Sequence, residues 1–520
     1  MEQLESYLAG SWAQGSGKPS TLVNPATEEH LAEASTEGLD FAAAFAHARN
    51  VGGKALRALS FAERGEILRA LSRAIHAQRD ALIDVAIANG GNTRSDAKFD
   101  IDGASGTLAY YADLGKQLGN AKFLVEGNEG VQLGRSPRWF GYHALVPRTG
   151  VALHINAFNF PGWGIGEKMA CAILAGMPVV VKPATSTALL AYRIAKLFVD
   201  ANVLPAGAFS FIAGSPGNML DSLSEQDVVA FTGSADTGAR LRTHPAIVRG
   251  SVRLNIEADS LNSATLGPDV TSGSDTYRMF LREVFRDMTQ KAGQKCTATR
   301  RIFVPDAMVN DVRDELAAML RDVQVGNPAS DGVTVGPLAT ASQLRDIRAG
   351  IDRLSKEATF VVGNQAAAPA GVPEGKGYFV PPTLLHCTDP DAAKAVHEHE
   401  VFGPCATIVP YDGSSGRAVD LVARGAGMLV GSVYSDDRAF VTDMVLGLAP
   451  YHGRLYFGSE KIADQTAGPG TVLPQSIHGG PGRAGGGEEL GGQRGLALYS
   501  HRVAIQGARP ILDAVLELKK

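Results

Sequence analysis

Residues 151–183, VALHINAFNFPGWGIGEKMACAILAGMPVVVKP, set the architecture. Val151 to Ile155 is a short apolar run of strand length, Gly164 to Ala175 carries helical periodicity, and Pro178 to Val181 is a second apolar run. The alternation continues with a helix over Thr187 to Ala201, a strand over Phe209 to Ile212 and a short helix near Asn218 to Leu223. A strand over Val228 to Phe231, a helix over Ala235 to Thr243 and a strand over Val252 to Ile256 follow. Strands separated by helices at this spacing require right-handed crossovers and a parallel sheet, whose ligands lie beyond the carboxyl ends of the strands. The residues that follow strands are therefore candidates: Asn159, Lys182, Gly214, Gly233 with Ser234, and Glu257.

On the N-terminal side, residues 1–30 read as an extended arm with turn chemistry at Gly15 to Pro19 and Asn24 to Thr27. Packing helices follow from Leu39 to Asn89 and from Asp96 to Gly119, after which Val125 to Val146 loses helical period and reads as strands. A second α/β unit starts near Asp259 and runs to about Gly480. Its expected helices cover Ser274 to Lys291, Ala307 to Val323 and Ser342 to Ser355, and its strands Ile302 to Val304, Ala406 to Pro410 and Leu429 to Tyr434. The run Gly479 to Gly487 is so rich in glycine that its backbone must pass close to something or stay loose. Leu496 to Gln506 reads as a late strand.

A chain of 520 residues with 45% hydrophobic content buries a large core and divides into two or three domains. The net charge of -5, with signs interspersed, leaves no basic stripe for nucleic acid. The longest apolar run, Met169 to Val181, is too short to cross a bilayer, and the acidic start lacks a secretory pattern. The four cysteines have no C-x-x-C spacing, which fits a reduced cytoplasm.

Among them, Cys296 stands in the polar stretch Gln294-Lys295-Cys296-Thr297, between a helix and a strand, with Lys291 and Lys295 near in sequence. Such neighbours are expected to favour a thiolate nucleophile. Ser234 opens a helix, where it serves either as a plain N-cap or as part of a phosphate site. Other signatures fail. No Walker A motif or G-x-S-x-G elbow is present, and Gly480-x-Gly482-x-x-Gly485 follows no apolar strand and opens no helix. His397 to Glu400 lacks H-E-x-x-H spacing, so no metal site is expected.

Eight short motifs occur in one register: Asn24 to Glu28, Phe158-Asn159-Phe160-Pro161, Val181-Lys182-Pro183, Phe231 to Ser234, Glu257, Gly293 to Cys296, Glu400 to Pro404 and Gly487 to Gly491. In order and spacing the chain resembles the NAD(P)-dependent aldehyde dehydrogenase superfamily over nearly its whole length. Gly-Gln-Lys-Cys-Thr-Ala, Glu-Ala-Asp-Ser and Gly-Gly-Gly-Glu-Glu-Leu-Gly-Gly resemble the dehydrogenase half of bifunctional phenylacetate-degradation enzymes. They resemble still more the stand-alone dehydrogenases of CoA-dependent benzoate oxidation, which act on 3,4-dehydroadipyl-CoA semialdehyde.

The resemblance implies a Rossmann-like cofactor domain over residues 1–124 and 147–258, a catalytic domain over 259–480, and oligomerisation strands at 125–146 and 496–510. It implies Cys296 as nucleophile, Asn159 as oxyanion donor and Glu257 as the base for water, with a raised pKa, while Lys168 and Glu489 lie near the proton path. Around the cofactor it places Phe158, Lys182, Thr185, Gly214, Gly233, Ser234, Thr237, Ala258, Glu400 and Phe402. Thr185, where NAD-preferring relatives often carry Glu, points to NADP, with NAD still possible. The expected partners are a small aldehyde, CoA-linked or otherwise a medium-chain or aromatic one, and a second copy of the chain, a dimer being favoured. Acyl transfer to coenzyme A is the alternative outcome, disfavoured by the presence of Glu257. In place of the usual Leu-Gly-Gly, Ala258-Asp259-Ser260 follows Glu257 and alters how closely backbone approaches a nicotinamide.

Overall fold

A computed structural model describes residues 1–364 and 368–516. The alternating runs form a seven-stranded sheet in the order Arg253–Glu257, Val228–Thr232, Ala152–Ile155, Val179–Lys182, Phe209–Phe211, Ser6–Leu8, Ser11–Ala13. The first five strands are parallel. Chain order runs outward on both sides of Ala152–Ile155, which makes its carboxyl end a switch point and opens a crevice there. The N-terminal arm does more than the sequence suggested. Ser6–Leu8 pairs antiparallel with Phe209–Phe211 and, with Ser11–Ala13, closes the sheet edge, because Tyr7 and Trp12 pack into it. A helix over Pro245–Gly250, with Pro245 in its first turn, also lacked a readable signal.

The second sheet has seven strands, in the order Ala358–Val362, Thr383–Cys387, Cys405–Tyr411, Arg301–Pro305, Ser263–Leu266, Met428–Tyr434, His452–Gly458. All its pairs are parallel except that of Ala358–Val362 with Thr383–Cys387. Ahead of the candidate cysteine runs the helix Asp275–Thr289. Ser274 caps it by accepting the Tyr277 N–H, Asp275 and Arg286 complement its dipole, and Tyr277, Phe280, Leu281, Val284 and Met288 form its buried stripe.

The glycine-rich run is a hairpin. Ile477–Gly480 pairs antiparallel with Gly487–Leu490, and the register sets His478 opposite Glu489. This hairpin crosses the carboxyl end of Arg253–Glu257. At Gly485 (φ 107°) and at Gly487, a Cβ would overlap the Ile256 carbonyl oxygen. Close passage is thus the reason for the glycines.

A third sheet joins Leu124–Gln132, Trp139–Pro147 and Ser500–Ala508, antiparallel throughout. The late strand starts at Ser500, not Leu496, because Gly492–Ala497 is wound as a 3₁₀ turn. Val131, Trp139, Ile511 and Val515 are exposed apolar side chains on or beside this sheet. Among the described residues, no helix is long and apolar enough to cross a membrane.

Gly485→Ala forces a side chain against Ile256 in a left-handed conformation. The expected loss of stability is about 1–3 kcal/mol in chemical denaturation, with a fall in turnover because the hairpin must lift off the strand.

Candidate active site

The helix Asp275–Thr289 stops abruptly because Lys291, Ala292 and Gly293 all adopt left-handed backbone, with φ of 54°, 51° and 66°. Non-glycine residues pay about 1–2 kcal/mol each for this conformation, so the surroundings must impose it. Arg300 does so from inside the loop. Its Nη1 donates to the carbonyls of Gly293 (3.0 Å) and Gly403 (2.9 Å), its Nη2 to that of Lys295 (3.1 Å), and its Nε to Glu400 Oε1 (3.2 Å). Asn262 Nδ2 donates to the Cys296 carbonyl at 2.7 Å, and Thr297 Oγ1 to the Gly470 carbonyl at 2.9 Å. The loop is held by Arg300, Asn262 and the Gly470 carbonyl, and Cys296 emerges half-buried.

Four residues expected at the site reach one pocket. Cys296, Glu257, Asn159 and Lys168 all border it, with His478 and the aromatic wall of Phe99, Phe160 and Trp163. Phe99 and Phe160 each meet Trp163 edge to face, at 5.0 and 5.9 Å. Asn159 Nδ2 donates one N–H to the Gln294 carbonyl at 3.0 Å, which fixes the amide beside the cysteine loop. Cys296 Sγ lies 3.6 Å from His478 Nε2, and that nitrogen lies 3.2 Å from Glu257 Oε1. Glu489 stands behind the pocket wall. Its Oε2 is 3.1 Å from Lys168 Nζ, which also meets Glu167 at 3.0 Å, and its Oε1 accepts from Asn255 Nδ2 at 3.0 Å.

The electrostatics correct two expectations. Lys295 favours a Cys296 thiolate but is outweighed by burial and by Glu257, its buried ammonium being paired with Asp287 Oδ1 (2.8 Å) and Gln290 Oε1 (2.9 Å). Lys291 faces Asp100 at 4.0 Å and lies 4.3 Å over the Phe160 ring. Burial, then the charge of Glu257, pushes the Cys296 thiol well above its ordinary value. Nor is the Glu257 pKa raised. Burial alone would lift it, but His478 and then Lys168 outweigh burial and hold the carboxyl down, at about 2. His478 is raised in turn, since Glu257 overcomes the desolvation of its ring. Glu489 moves the other way, up to about 7, through burial and the neighbouring Glu167 and Glu257 charges, against the pull of Lys168.

A family model described as the aldehyde dehydrogenase family matches residues 12–501. The chain belongs to the aldehyde dehydrogenase family. It is 45% identical over 480 residues to the 3,4-dehydroadipyl-CoA semialdehyde dehydrogenase of Aromatoleum evansii, covering 92% of this chain and 93% of that protein. Among solved structures, lactaldehyde dehydrogenase from Escherichia coli superposes with a TM-score of 0.84 at 23% identity, covering 97% of this chain and 99% of that one. The NAD+ complex of an aldehyde dehydrogenase from Bacillus cereus superposes at 0.83 and 24% identity, covering 98% and 97%. These two likenesses establish the aldehyde dehydrogenase fold, and the chain is an oxidoreductase that converts an aldehyde to its acid.

A nicotinamide dinucleotide is the family's cofactor, and the crevice suits one. Lys182 ends its strand buried, and among the described residues no carboxylate pairs with it; burial lowers its pKa to about 8. An unpartnered buried ammonium is built for an anion or a ribose hydroxyl. Thr185 opens the next turn, and the hydroxyl of Thr187 at its end holds the Phe158 carbonyl at 2.9 Å. Phe402 meets Phe158 edge to face at 5.9 Å. Glu400 accepts from Arg300 and from the Ser260 N–H (2.9 Å), so it anchors the cysteine loop while lone pairs remain for a ribose. Other expected cofactor positions have structural employment. Ser234 is a true N-cap, accepting the Thr237 N–H at 3.3 Å, and Asp259 accepts the Ala235 N–H at 3.0 Å. This helix start is therefore largely satisfied before any pyrophosphate arrives. The Gly233 N–H holds the Glu257 carbonyl (3.1 Å), the Ala258 N–H bonds Ala484 (2.9 Å), and Gly214 packs against Thr36.

His478 is the site residue that sequence reading missed. What brings it to Cys296 is hairpin register, which no local pattern encodes.

Asp287→Asn leaves the buried Lys295 ammonium facing a neutral amide. The expected cost is about 3–5 kcal/mol in denaturant-induced unfolding, far more than an exposed Asp→Asn change would produce.

Proposed function

We propose that the enzyme oxidises a CoA-linked semialdehyde, with NADP as acceptor, through a covalent adduct on Cys296, and releases a free acid. The observation that carries this reading is the convergence of Cys296, Asn159 and Glu257 on one aromatic-walled pocket. Cys296 Sγ gives up its proton and adds to the aldehyde carbon, forming a thiohemiacetal. Because the thiol is held in its neutral form, deprotonation accompanies substrate binding, and the Glu257 carboxylate is the acceptor within reach. The second Asn159 N–H and the Cys296 backbone N–H stabilise the oxyanion, a contribution of about 100-fold or more in rate per donor. The cofactor, when bound, takes up the hydride. Glu257, ionised at neutral pH, takes a proton from water; the water oxygen adds to the acyl carbon of the resulting thioester and Sγ leaves. Lys168 and Glu489 carry the proton away from Glu257.

Substrate class rests on the identity to the Aromatoleum evansii semialdehyde dehydrogenase over most of both chains. The buried, unpaired Lys182 and the neutral Thr185 favour a 2'-phosphate and hence NADP. The exposed apolar side chains on the three-stranded sheet support a homodimer, and four unpaired cysteines suit a reducing cytoplasm.

In a reduced-cofactor absorbance assay over aldehydes of increasing length, the CoA-linked semialdehyde with NADP gives the highest kcat/KM, and free acid accumulates. Equal turnover of short free aldehydes removes the substrate assignment, and acyl-CoA as product removes Glu257 as base for water. Cys296→Ala lowers kcat by at least about 1,000-fold.

A pH profile tests the proton path. Glu489 loses its proton through neutrality, so kcat/KM rises with pH across this range as the acceptor becomes available. Glu489→Gln flattens that limb; a profile identical to wild type takes Glu489 out of the path.

A further inference from the structure

Glu257 Oε1 is buried, and His478 Nε2 lies 3.2 Å from it, at ion-pair distance. The sulfur, the imidazole nitrogen and a carboxylate oxygen all lie within 4.8 Å of one another, with His478 and Glu257 each 3% exposed. A buried carboxylate oxygen, an imidazole nitrogen and a thiol converge here on one point. It is the donor set that zinc selects.

We propose that Cys296, His478 and Glu257 form a reversible zinc site that silences the enzyme. Two edges of the triangle fit the metal. With Zn–S near 2.3 Å and Zn–N and Zn–O near 2.0–2.2 Å, tetrahedral angles put sulfur and nitrogen about 3.5 Å apart and nitrogen and oxygen about 3.4 Å apart. The observed separations are 3.6 and 3.2 Å. Three protein ligands leave a fourth position for water, and thiolate with carboxylate neutralises the dication in a buried setting. Zn2+ displaces the thiol proton to solvent and binds His478 as neutral imidazole. Magnesium and calcium, which require oxygen ligands, do not compete for a thiolate. The ion occupies the sulfur that would attack the aldehyde, so binding and turnover exclude each other. That consequence, unlike the site itself, rests on Cys296 being the nucleophile.

The full-length enzyme, freed of metal with a chelator, is titrated with Zn2+ by calorimetry and with Co2+ by absorbance. One ion binds per chain, Co2+ gives a near-ultraviolet thiolate charge-transfer band with the intense visible bands of a tetrahedral site, and Zn2+ abolishes dehydrogenase activity until EDTA restores it. Cys296→Ala loses the near-ultraviolet band. His478→Ala weakens Zn2+ binding by more than the about 10–100-fold typical of losing an outer-shell partner, and His478→Gln does the same if the alanine variant fails to fold. Absence of the thiolate band, or Zn2+ affinity unchanged in both Cys296 and His478 variants, overturns the site. If the band depends on Cys296 but turnover survives Cys296→Ala, the zinc site stands and the nucleophile assignment falls.

Discussion

The Ile256 carbonyl admits no side chain at Gly485 or Gly487, and on that close approach the pocket depends. The strand that ends in Glu257 and the hairpin that carries His478 and Glu489 come from distant parts of the chain. They meet because glycine lets one backbone lie on another. Once in place, the hairpin supplies a partner to each side of the site: His478 toward Glu257 and Cys296, Glu489 toward Lys168. Ala258 and Ala484 complete the attachment by a backbone hydrogen bond of 2.9 Å.

Charge around the sulfur is arranged with restraint. Each nearby lysine is committed elsewhere: Lys295 to Asp287, Lys291 to Asp100 and the Phe160 ring, Lys168 to Glu167 and Glu489. At rest, burial and the carboxylate of Glu257 outweigh the help that Lys295 gives a thiolate. A thiol that stays protonated until substrate arrives resists adventitious oxidation, because it is the thiolate that reacts.

The legible part of this protein is its repeating part. Val151 to Ile256 announced a parallel sheet because buried strands and packing helices differ in period, and the structure returns those strands within a residue or two. Asn159, Lys182 and Glu257 were found by position, since they sit where the last apolar residue of a strand gives way to polar sequence. The second sheet was harder to read. Ser263–Leu266 and Thr383–Cys387 are short runs with serine, threonine, histidine and cysteine among them, and only burial within a parallel sheet makes strands of them. Long-range pairing was not legible at all. Nothing near Lys295 indicates that Asp287 will absorb its charge, and nothing near His478 indicates Cys296.

The opposition of His478 and Glu489 in the hairpin has a structural consequence. Side chains along a strand alternate faces, so adding or deleting one residue in the connecting glycine loop would slip the pairing and turn one of the two away from the pocket. Both lobes would still fold, yet the imidazole or the carboxylate would point at the wrong neighbours. The length of this loop thus constrains the site as firmly as the glycines within it do.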